Sequence, residues 1–164
     1  MSCVTEFIHL LPRGDRTYHY YRGHREASWD LEPLIDRVKH GPLTRLDHEL
    51  QMFQDFKRRS LAFLQTRPAN DWEFLALARH HGLPTRLLDW TENPLAALFF
   101  AVEQPSEQDS AVWCYVYVGL GKPKPDHSTG DPLSVDNLAL YQPPHLHPRI
   151  AVQSSLFTVH PAGW

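Results

Sequence analysis

Apolar residues along this chain follow helical spacing through much of the first two thirds and strand-like spacing in the last third. That change of period predicts helices first and strands afterwards. Thr5 caps a short helix carrying Phe7, Ile8 and Leu11, and Tyr18 to Arg22 reads as a strand. Thr44 opens a long helix with Leu46, Leu50, Phe53, Phe56 and Leu61 roughly on one face, ending before Pro68. Asn70 with Glu73 has the form of a capping box, and the helix it opens turns Trp72, Leu75 and Ala78 towards a core.

Residues 73–103 hold the densest pattern. Gly82 stands where a helix C′ residue takes a positive φ, and Pro84 blocks continuation. Thr85 to Trp90, apolar at Leu87 and Leu88, predicts a short strand. Asn93 followed by Pro94 is an N-cap and first-turn pair for the next helix. Ala111 to Val118 is a further strand, and Gly119 to Pro132 is a Gly/Pro/Asp-rich surface loop that the composition predicts to be mobile. Ile150 to Val152 and Leu156 to Val159 read as one bent strand or two strands meeting near Gln153. The expected class is α+β: a single domain over residues 1–164 in which helices pack on a small, mostly antiparallel sheet.

Composition narrows the picture. A chain of 164 residues, 42% hydrophobic and 12% aromatic, has enough apolar surface for one globular core. Its longest apolar run falls far short of the roughly 18 residues of a membrane span, and Met1 to Glu6 lacks the features of a signal peptide, so a cytoplasmic protein is expected. Cys3 and Cys114 cannot make a disulfide framework, and Cys114 in its strand reads as a buried free thiol. A net charge of −3 gives no global field for nucleic acid, although local basic patches remain open.

Candidate chemistry gathers at the strand-to-helix junction and at Tyr21-Arg22-Gly23-His24. Arg22 is a fork for two phosphate or carboxylate oxygens, or else a partner of Asp89 or Asp30; Gly23 reads as a turn residue. Arg86 and Asp89, three apart in a strand, point to opposite faces and are not automatic partners. Trp90 reads as core or as the stacking rim of a pocket, and Thr91 and Asn93 as helix caps or as ligands of an anion at the helix start. His80 and His81 diverge by about 100° on a helix, and His145-Leu146-His147 has no acidic or thiol companions, so no metal site is expected. His24, His80 and His81 are acid–base candidates near neutral pH or else plain hydrogen-bonders. The chain has no nucleophile elbow, P-loop or Gly-x-Gly-x-x-Gly motif.

Tyr21-Arg22-Gly23-His24, Trp29-Asp30-Leu31-Glu32-Pro33 with Arg37, the 73–103 block, and Arg149-Ile150 with Gln153 together resemble the FRG domain, a bacterial and phage family labelled for its Phe-Arg-Gly motif. Tyr21 stands where that motif has Phe, and Ser154-Ser155-Leu156-Phe157 where a Gly-containing Gln-x-Gly-x-Phe is expected. The resemblance further implies a C-terminal segment that ends in a Pro-Asp-Leu-like turn, lying past Trp164. By analogy the order of parts is similar to ADP-ribosyltransferases, whose split sheet holds NAD. On that analogy Asp89 and Gln153 are the catalytic candidates, and Tyr21, Arg22, His24, His81, Arg86, Trp90, Thr91 and Asn93 the ligand-binding ones. Arg22 would neutralise the diphosphate and Gln153 would hold ribose hydroxyls, while the missing late-strand carboxylate shifts the chemistry onto Asp89. The alternatives are a non-catalytic module for a nucleotide, nucleic-acid end or phosphorylated partner, and a buried polar network that only sets the fold. Convergence of Arg22, Asp89 and Gln153 on one cleft is the expectation that both functional readings share.

Overall fold

The computed structural model describes residues 4–12, 17–118, 130–143 and 156–162. They form two compact units, each made of two stretches of chain: the described residues within 1–29 and 91–123, and those within 30–90 and 124–164. The class is α+β with antiparallel sheets, as expected.

The first unit contains α1 (Val4–Leu10), β1 (Thr17–His24), α5 (Pro94–Val102) and β3 (Ala111–Val118). β1 and β3 pair antiparallel from Thr17↔Val118 to His24↔Ala111. Partners in register share a face, so Tyr18, Tyr20, Arg22 and His24 stand on one side with Tyr117, Tyr115 and Trp113. Tyr21 and Gly23 stand on the other with Cys114 and Val112. Asn93 caps α5 as expected, its Oδ1 accepting from the N–H groups of Leu95 (2.9 Å) and Ala96 (3.3 Å).

Gly23 has a different task from the expected turn. It lies inside β1, its φ is not among the positive ones, and a Cβ built on it would sit 2.0 Å from the Ala97 carbonyl oxygen and 2.7 Å from the Ala101 nitrogen. The missing side chain lets the backbone of α5 press against the strand. Cys114 also departs from expectation, being exposed. Among the described residues β3 pairs with β1 alone, so a two-stranded sheet leaves the thiol within reach of solvent. On α1, only Phe7 is buried, and Ile8 is 43% exposed.

The second unit contains α2 (Leu34–Arg37), α3 (Arg45–Ser60), α4 (Asp71–His80), β2 (Leu87–Trp90), β4 (Ala139–Tyr141) and β5 (Leu156–Val159). Its sheet has the order β2-β5-β4, antiparallel throughout, and every residue of the central β5 is buried. Asn70 Oδ1 accepts from the Glu73 N–H at 3.0 Å, while the Glu73 carboxylate accepts from Ala69 N–H, one residue before the cap. α4 ends in a Schellman motif. Gly82 at φ 83° sends its N–H to Arg79 O, and Leu83 N–H reaches Ala78 O at 3.0 Å. From Trp72 to Ala78 every residue of α4 is buried, more than the expected three.

α3 buries a different face from the one its leucines suggest. Leu46, Leu50 and Leu61 are exposed, whereas Glu49 and Phe53, one turn apart, are buried. Arg86 explains the rotation. It is 0% exposed, and its Nε and Nη2 donate to Glu49 Oε2 at 3.0 and 2.8 Å, its backbone N–H to Glu49 Oε1 at 2.8 Å, and its Nη1 to Leu133 O at 2.9 Å. A carboxylate fully engaged with its counter-ion is drawn inward where a leucine would otherwise be expected.

A second polar chain crosses the β2–β5 pairing. Trp90 Nε1 donates to Thr158 Oγ1 at 2.9 Å, and the same oxygen lies 3.1 Å from His160 Nε2. Burial lowers the His160 pKa to about 4, with Asp36 pulling it up and Arg45 pushing it down. A histidine with a depressed folded-state pKa contributes stability that is complete above its unfolded value near 6.5 and is lost as pH falls from there towards 4.

Two outcomes follow for stability. Arg86→Met should cost about 3–5 kcal/mol in chemical denaturation, because it leaves Glu49 charged in the interior, and adding Glu49→Leu should restore much of that loss. Lowering pH from 6.5 to 4 should remove on the order of 3 kcal/mol through His160, and His160→Gln should flatten that part of the stability–pH curve. A ring titrating near 6.5 by NMR would contradict its buried neutral state.

Candidate functional site

The strongest grouping of binding chemistry lies on the Arg22 face of the β1–β3 sheet. Arg22, half-buried, is the register partner of Trp113, which remains 39% exposed. Its Nε donates to His24 Nε2 at 3.1 Å. Because a guanidinium only donates, Nε2 is the accepting nitrogen and the ring proton sits on Nδ1, 3.3 Å from the carbonyl oxygen of Trp29. His24 is itself buried, wedged between the rings of Trp29 (6.1 Å) and Trp113 (6.3 Å, edge-on). The imidazole therefore serves to fix the guanidinium, and its lone pair is already in use.

Along the same face Tyr18 and Tyr117 pair with ring centroids 6.4 Å apart, and Tyr20 and Tyr115 are register partners. Burial pushes the Tyr20 pKa up to about 12, with Glu92 adding to the rise, and burial also raises that of Tyr115. These phenols hold their protons at neutral pH. Tyr18, Tyr115 and Tyr117, partly exposed, offer ring faces and hydroxyl groups, Tyr20 at 1% exposure is sealed in, and the guanidinium supplies the cation. Arg25 stacks over Trp29 at 5.2 Å to the ring centroid and donates to Gln104 Oε1 at 2.7 Å.

The other expected site residues are distributed as follows. Tyr21 is buried on the opposite face, and its backbone bridges to Thr91 by bonds of 2.7 and 2.9 Å. Thr91 also accepts from Asn93 N–H at 3.1 Å, so both polar residues at the start of α5 serve local structure. Asp89 lies in the second unit, where Arg79 Nε and Nη2 both reach its Oδ2, at 3.0 and 2.5 Å. Asp89 and Arg86 are not partners, in line with their opposite faces. Trp90 is core, with its indole N–H on Thr158. Arg86 leaves the expected ligand set: sealed from solvent, its donors go to Glu49 and Leu133. His81 sits at the end of α4 against Phe56 (6.1 Å) and lines a groove of about 610 Å³ with Met52, Phe63 and Leu83.

Gln153, Arg149, His145 and His147 lie outside the described residues. Of the three residues expected to converge, Arg22 belongs to the first unit and Asp89 to the second, and Gln153 is outside the described residues. Sequence reasoning missed Trp113, Tyr115 and Tyr117. The alternation in Ala111 to Val118 was the available signal, since the three rings fall on every second residue. It also missed Arg79 as the partner of Asp89; these residues are ten apart, on a helix and the strand that follows the Gly82 stop. Among the described residues no three His, Cys, Asp or Glu side chains are placed to hold a metal ion, and no helix is long and apolar enough to cross a membrane.

The FRG domain family model matches residues 17–110, more than half of the chain. That span begins at β1 and stops just before β3, so it includes Arg22, His24, Asp89 and Asn93 and leaves out the rings of β3. No curated protein and no solved structure matches the chain.

Gly23→Ala offers a direct test of the packing that sets this face. Since the new methyl would meet helix backbone at 2.0 Å, α5 must move, and a loss of about 1–3 kcal/mol or more is expected by thermal or chemical denaturation. An unchanged melting temperature would show that α5 does not lie against Gly23.

Proposed function

Since the chain belongs to the FRG domain family, we propose that it is a nucleotide-binding domain whose ligand lies on the Arg22 face of the β1–β3 sheet, with NAD as the leading candidate. One observation carries this reading: Arg22 stands opposite the exposed ring of Trp113 on the same sheet face. A planar base stacks on an aromatic face, and a guanidinium pairs with phosphate oxygens at close to fixed spacing from it. His24 supports the reading by holding Nε, which orients the fork before any ligand arrives.

The groups on this face suit binding better than proton transfer, as the imidazole lone pair is engaged and the phenols keep their protons. ADP-ribosyl transfer is the second reading, favoured by the Arg79–Asp89 pair, which presents an oriented, one-third exposed carboxylate of the kind that stabilises an oxocarbenium-like centre. In that reading Asp89 acts on the reacting sugar, and Arg79 positions it.

Titration calorimetry with NAD should show binding that weakens with ionic strength and falls about ten- to a hundredfold in Arg22→Ala, the loss of one charge-assisted contact of about 1.5–3 kcal/mol. Affinity unchanged by Arg22→Ala and by Trp113→Ala would remove the ligand from this face. Release of nicotinamide, abolished by Asp89→Asn without a fall in melting temperature, would move the conclusion from binding to transfer.

A further inference from the structure

The reverse face of the β1–β3 sheet carries a second feature that the nucleotide reading does not use. A cavity of about 850 Å³ opens there, walled by Phe7 and Leu11 on the N-terminal side, Leu98 and Val102 from α5, and Val112 from β3. This lies within the range of roughly 300–1,000 Å³ common for small-molecule pockets. Apolar residues make up all of its described lining except Tyr21, Cys114, Asp109 and Ser110. None of the described lining residues is basic.

The polar groups in the wall are uncharged at neutral pH apart from Asp109. Tyr21 and Cys114 face each other in register, and burial raises the pKa of both, so the phenol and the thiol keep their protons. Ser110 Oγ is a neutral hydroxyl, bonded to Arg25 O at 3.1 Å. An anionic guest would meet a carboxylate and no described counter-ion, which sets this cavity apart chemically from the Arg22 face. An apolar guest would take the apolar part of this open wall out of water.

We propose that this cavity binds a neutral, apolar small molecule of about the bulk of a two- or three-ring aromatic, with one hydrogen-bonding group set against Tyr21 and Cys114. The site is independent of the nucleotide reading, since it uses the opposite face of the sheet.

The test uses the full chain and the neutral probe N-phenyl-1-naphthylamine. Its fluorescence should rise to saturation at one probe per chain. Naphthalene-ethanol should displace it, and naphthaleneacetate should do so at least tenfold less well. Val112→Trp, which fills the cavity from the strand side, should weaken probe binding at least tenfold. Leu98→Trp fills it from α5 and serves if the first variant melts early. Phe99→Ser, on an exposed position of α5 outside the lining, and Arg22→Ala, on the other face, should both leave probe binding unchanged. Non-saturating binding, equal displacement by the carboxylate, or full binding in both filled variants would overturn the proposal. Loss of NAD binding in Arg22→Ala with the probe still bound supports both sites, and probe binding without any NAD binding retains this one alone.

Discussion

The buried pair of Glu49 and Arg86 governs the second unit. Each is at most 1% exposed, so neither charge could stand there without the other. Glu49 takes the guanidinium and also the Arg86 backbone N–H, which ties the middle of α3 to the residue just before β2. The remaining Arg86 nitrogen reaches Leu133 O, so three distant stretches of chain meet at one side chain. His160 N–H on Arg86 O adds the end of β5 to the same point. Such a pair contributes less to net stability than to the choice of one arrangement, because any packing that separates the two charges is heavily penalised.

In the first unit the corresponding constraint is steric. Gly23 lets α5 approach to backbone contact, and that approach assigns the two faces of the sheet to different work. The face towards α5 carries Tyr21, Cys114 and the cavity. Its reverse carries Arg22, His24 and the rings. The Arg-Gly pair of the motif thus joins a long cationic side chain to the absence of one on the next residue, and strand alternation sends them to opposite sides.

Most local signals in the sequence held, although Thr5, expected as a cap, lies inside α1 and Gly23 lies inside β1. Thr44, Asn70 and Asn93 cap their helices, Gly82 has its positive φ, and Ala111 to Val118 is a strand with the expected bounds. Errors arose where a partner distant in sequence decides the outcome. Nothing near Glu49 shows that it will be buried in preference to Leu46 and Leu50, because the reason is Arg86, thirty-seven residues on. β4 went unnoticed for another reason: Ala139–Tyr141 is too short to display any period and exists only by pairing with β5. Arg22 was legible as a candidate, yet its setting was not, because register with Trp113 is a property of the folded β1–β3 pair alone.

The same contrast bears on chemistry against binding. Arg22 and Asp89 attract attention in the sequence for the same reason, a charge in a short polar motif, but the structure gives them different surroundings. Arg22 has its Nε on the accepting nitrogen of a neutral imidazole. Asp89 has two guanidinium nitrogens on a single oxygen, so its negative charge is largely answered within the protein. These different surroundings set the order of the two proposed readings, binding before transfer.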